Sequence, residues 1–142
     1  MDAVERILKH WRAEGVALNK GATVQDLAAL EAFLGCGLPA DVRRFYLEAN
    51  GMKDFAHDSK MVSFWSIDRI LRERDVAAAG DEAKGVAFAD VIIYSWTFRY
   101  GLRAGISVSV MADGSPTEHS SFSAFLVQYM EDPGSMDLFN AV

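Results

Sequence analysis

The period of the apolar pattern changes twice along this chain, and that change limits the possible folds more than any single motif. Up to Gly51 apolar residues recur three and four apart. Val4, Ile7, Leu8 and Trp11 share one face of a helix expected over residues 2–14 and stopped at Gly15. Glu5 and Lys9 stand in the favourable order for a surface pair on that helix. Thr23 reads as an N-cap, with Asp26 completing a weaker relative of the capping box; Leu27, Leu30 and Leu34 form the stripe behind it, and Gly35-Cys36-Gly37 ends the helix. Leu38-Pro39-Ala40-Asp41 opens a third helix with Val42, Phe45, Tyr46 and Ala49 on its buried face. Asn50-Gly51 closes it with two residues that tolerate the left-handed conformation.

Beyond Gly51 the spacing is different. Met52 to Lys60 reads as a loop, Met61 to Trp65 as a strand, and Ser66 as the cap of a short helix through Ile67, Ile70 and Leu71. Asp75 to Lys84 reads as the end of that helix and an exposed acidic loop. From Val86 strands dominate: Asp90 to Trp96, then Thr97 to Arg103 with Phe98, Tyr100 and Leu102 on one face, then Ile106, Val108 and Val110 alternating with serines. Asp113-Gly114 signals a turn, and Ser115 to His119 reads as a short strand. Period two with one polar face predicts an antiparallel sheet with one side open to water. Helical spacing returns at Phe122, Phe125, Leu126 and Tyr129, after a cap at Ser120 or Ser121. Helices, then strands, then a helix predict an α+β fold: N-terminal helices and a C-terminal helix packed on a mainly antiparallel sheet, in one domain spanning 1–142.

The side chains offer little for catalysis. Three histidines show no metal-ligand spacing, no Gly-x-Ser-x-Gly elbow or phosphate loop occurs, and the carboxylates form no defensible pair. The one cysteine, Cys36, rules out an internal disulfide and a cysteine-based zinc site. Asp54, His57 and Asp58 cluster on a loop and could hold a divalent ion, but loops are also simply polar; no cofactor is expected, and no enzymatic activity. The net charge is −6, and the imbalance lies in the second half: residues 72–142 carry 10 acids and 5 bases, against 10 and 9 in residues 1–71. Such a chain suits neither nucleic acid nor membrane, and it steers a basic partner. The absence of a basic-then-apolar start points to a cytoplasmic location.

A resemblance adds to this reading. Leu27-x-x-Leu30-Glu31-x-x-Leu34-Gly35, then Leu38-Pro39-Ala40-Asp41, Phe45-Tyr46 and Asn50-Gly51, resembles the N-terminal signature of the SUKH superfamily, the Smi/Knr-like domains. Phe64-Trp65-Ser66, Phe88-Ala89-Asp90 and Ser121-Phe122-x-x-Phe125-Leu126 continue the likeness in order. The resemblance implies a sheet of about six strands, an ordinary size, and a binding role without shared catalytic residues. Many bacterial members are immunity proteins that neutralise toxins, often nucleases; others are regulatory interaction domains. The expected function is therefore an immunity protein that occludes a basic toxin domain, with a regulatory or scaffold module lacking a toxin partner as the alternative. The candidate contact residues are Asp54, His57 and Asp58 of the loop, the acidic Asp81, Glu82 and Glu118, and Trp96 and Arg99 of the strands. The signature residues, Asp41 among them at the positive end of its helix, read as structural.

Overall fold

A computed structural model describes residues 2–73, 86–91, 96–101, 107–111, 117–119 and 121–131. Three helices come first: α1 (Ala3–Glu14), α2 (Val24–Leu34) and α3 (Ala40–Glu48). Their ends follow local chemistry. The Asp2 carboxylate accepts from the Glu5 amide at the start of α1, and Gly15 and Gly35 take the left-handed conformation that ends α1 and α2. Thr23 and Asp26 form a full reciprocal capping box. Glu5 pairs with Arg44 of α3 rather than with Lys9 of its own helix, so a tertiary contact takes the place of the expected local one.

After a loop come β1 (Val62–Phe64) and the short helix α4 (Ile67–Arg72), capped by the Ser66 hydroxyl as expected. Strands β2 (Val86–Val91), β3 (Trp96–Gly101), β4 (Ser107–Met111) and β5 (Thr117–His119) follow, and α5 (Phe122–Glu131) closes the described chain. The strands pair antiparallel in sequence order, β1-β2-β3-β4-β5. The described sheet thus has five strands instead of about six. Asp90 to Trp96, read from sequence as one strand, instead spans the end of β2 and the start of β3. Val91 to Tyr94 are all β-branched or aromatic, so propensity alone gave no boundary among them.

One face of the sheet packs against α1, α3 and α5 through an aromatic layer. The ring of Trp11 (α1) lies 4.7 Å from Phe64, and Phe125 (α5) lies 4.9 Å from Phe98. Phe45 of α3 meets Phe122 of α5 at 5.1 Å. A bulge between Ala87 and Ala89 inserts Phe88 into this layer, where it stacks on Tyr100 at 4.2 Å.

At β1 and β2 the second face is closed, against the expectation of an open side. Every residue of β1 and β2 is buried, including Ser63 and Asp90, because Trp65 and Arg69 cover them. The Trp65 indole donates to Asp90 at 2.6 Å, and the Arg69 guanidinium lies over the Trp65 ring at 4.7 Å. In β3, Thr97 and Arg99 of that face are half-exposed. No helix among the described residues is long and apolar enough to cross a membrane.

Candidate protein-binding site

The signature residues hold the helices in place. Glu31 of α2 accepts from the Leu38 amide at 2.8 Å and from Arg43 of α3 at 3.2 Å, so one carboxylate joins α2, the Leu-Pro corner and α3. Asp41 does more than favour its own helix end. Its Oδ2 accepts from the backbone N–H of Ser123 at 2.9 Å and from the Ser123 hydroxyl at 2.8 Å, so it caps α5 from a distance of 82 residues in sequence. Asn50 corrects its sequence reading: it is not left-handed, and its side-chain carbonyl caps α4 by accepting from the Ile67 amide at 2.9 Å. Gly51 alone takes the positive φ, 68°, and a Cβ there would sit 2.4 Å from the Trp65 carbonyl oxygen.

These contacts frame the loop between Met52 and Met61. The Met52 amide donates to the Phe64 carbonyl at 2.7 Å, and the Asp58 amide donates to Val62 at 3.0 Å, so both limbs of the loop are tied to β1. Asp58 is the pin. It is only 4% exposed. Its carboxylate accepts from the Trp11 indole at 3.1 Å, from the Lys60 and Val62 amides at 2.9 and 3.2 Å, and from the Tyr129 hydroxyl. Burial, reinforced by the Asp58 charge, pushes the Tyr129 phenol well above its ordinary pKa, so it stays a donor. Asp58, expected at the partner surface, therefore points inward and joins α1, α5 and the loop. Among the described residues no group of three His, Cys, Asp or Glu side chains could hold a metal, and Asp54, His57 and Asp58 do not converge.

What the pinned loop displays is an aromatic ring that sequence reasoning passed over. Phe55 is 78% exposed and sits at φ 67°; Met61, nearly half exposed, sits at φ 65°. A bulky residue in this backbone region costs about 1–3 kcal/mol and persists only where its surroundings impose it. The Arg69 guanidinium lies 5.4 Å from the Phe55 ring centroid, and the same group contacts Trp65. The sequence signal was present: an apolar aromatic between Asp54 and His57 in an otherwise polar loop. Asp54 and His57 are exposed beside it, and Asp54 pairs with Arg72 at 2.7 Å, which also holds Asp68 at 2.8 Å. An open groove of about 530 Å³ runs along this edge, with Lys53, Asp54, Asp68 and Arg72 on its walls.

The remaining candidates lie elsewhere. Trp96 opens β3, and Arg99 is half-buried with its Nε donating to Thr97 at 3.0 Å. Arg99 pairs in register with Ser109, which pairs with Glu118, so positions 99 and 118 share a row two strands apart. Asp81 and Glu82 lie outside the described residues.

Helices are thus clamped by shared carboxylates on one face of a meandering sheet, with a pinned loop presenting an exposed ring. Residues 21–114, more than half of the chain, match the SMI1 / KNR4 family (SUKH-1), and the chain belongs to that family. No curated relative matches the sequence.

Proposed function

We propose that this protein is an immunity protein that binds a basic toxin domain and blocks it by occlusion, making and breaking no covalent bonds. Membership of the SMI1 / KNR4 family (SUKH-1) supports a binding role, since that family includes immunity-type domains. The observation that carries the site is Phe55, an exposed ring on a strained backbone that Asp58 and Arg69 hold in place. Ring-bearing side chains held rigidly at a surface lose little entropy on binding and make strong anchors. The net charge of −6 favours a basic partner and speeds its approach.

The test is co-expression with candidate toxin domains, starting with any encoded beside this gene. Survival that depends on this chain, and a complex recovered by pull-down, are the expected results. Unchanged killing and no complex across that set would overturn the proposal and favour a regulatory module.

A further inference from the structure

A second surface is rich in cations. A groove of about 470 Å³ lies between α1, Lys60 and the end of α5, lined by Arg6, Lys9, His10, Ala13, Lys60 and Met130. In a protein of net charge −6 its described lining holds three cations and a histidine and no carboxylate. The four α1 residues stand at i, i+3, i+4 and i+7, so they share one stripe of that helix. Lys60 reaches the groove from the loop pinned by Asp58, and its ammonium sits 4.8 Å from the centroid of the Tyr129 ring.

Two carboxylates stand at the edge. Glu131 holds Arg6 at 3.1 Å, and Glu14 lies 3.6 Å from His10. Among the described residues no carboxylate lies within ion-pair distance of Lys9 or Lys60, and Glu14 is near enough to Lys60 to feel its charge. The arginines Arg43, Arg44, Arg69 and Arg72 are all ion-paired, unlike Lys9 and Lys60.

We propose that this groove binds an acidic peptide segment of a protein partner. Its carboxylates would meet Lys9 and Lys60, and an apolar side chain between them would cover Ala13 and Met130. Charge complementarity with an apolar floor is the chemistry of such a segment. A nucleic acid fits less well, because no run of cations tracks a phosphate backbone and no described aromatic ring lines the groove for bases to stack on. The surface is separate from the Phe55 ring, and the inference stands whether or not that loop binds a toxin.

The experiment is fluorescence anisotropy on the full chain, with a labelled peptide of alternating Glu and Leu, a neutral Gly-Ser peptide and a single-stranded oligonucleotide as the three probes. The acidic peptide should bind, and the affinity should fall when salt rises from about 50 mM to about 500 mM. Lys9→Glu with Lys60→Glu should weaken it about tenfold or more. Arg12→Glu, an exposed position on α1 outside the groove, should change it less than about twofold. The milder pair Lys9→Gln and Lys60→Gln should weaken binding in the same direction and guards against a folding defect in the first variant. Absence of binding, equal loss from Arg12→Glu, or an oligonucleotide that binds better and depends on Lys9 and Lys60 would overturn the proposal.

Discussion

Replacing Asp58 with alanine tests how the binding loop is held. The substitution removes a carboxylate that accepts four hydrogen bonds. The Val62 amide is buried, whereas the Lys60 amide is half-buried and can recruit water. The Trp11 indole and the Tyr129 hydroxyl belong to side chains with no exposed surface and cannot. Each stranded buried donor costs about 1–3 kcal/mol, so Asp58→Ala should destabilise the fold by about 4 kcal/mol. For a chain of this size that is a fall in Tm of about 10–15 °C. Asp58→Asn keeps an acceptor but loses the charge and should cost roughly half as much. Urea unfolding followed by tryptophan fluorescence gives both values. Limited proteolysis should also cut the alanine variant between residues 53 and 61, where the parent resists. A loss below about 1 kcal/mol, with the loop still protected, would refute the reasoning that this carboxylate pins it.

Four further outcomes follow from the same geometry. Gly51→Ala should cost about 3 kcal/mol by chemical denaturation, because a Cβ meets the Trp65 carbonyl at 2.4 Å and the backbone is left-handed. Asp41→Ala should cost about 1–2 kcal/mol and lower the helical signal of α5, since it removes the acceptor for both Ser123 donors. Burial pushes the phenols of Tyr46, Tyr100 and Tyr129 up, so their contribution to stability is present below pH 10 and declines as pH rises beyond it; absorbance at about 295 nm should show these rings ionising only as the chain unfolds. The hydrogen bond from Ser59 holds the Glu14 carboxyl below its ordinary value, so its contribution is present above about pH 4.5 and lost as pH falls through the lowered value; Glu14→Gln should flatten the acid limb of the stability curve.

Much of the scaffold was legible in the residues. The helices read from spacing because their apolar stripes are regular, and the caps at Thr23 and Ser66 form as their side chains suggest. The long-range partners were not legible. Glu31 and Asp41 looked like local helix devices, yet each joins elements that only the fold brings together. Asp58 shows the same limit: a carboxylate in a polar loop suggests the surface, and only Trp11 and Tyr129, 47 and 71 residues away, draw it inside. The open side was read from the later strands, where Thr97 and Arg99 are indeed half-exposed; that the same face is closed at Ser63 and Asp90 was not legible, because the Trp65 and Arg69 side chains that bond to them are brought there only by the fold. Phe55 was overlooked because a lone aromatic in a loop carries no periodicity, while its exposure comes from a backbone conformation that the residue type disfavours.

The most direct measurement is the affinity of the purified chain for a toxin domain that it protects against, compared with that of Phe55→Ala. The account predicts a loss of at least about 2 kcal/mol, some thirtyfold, at an unchanged melting temperature. Equal affinities for the two proteins would contradict it, because the ring on the pinned loop would then contribute nothing to binding.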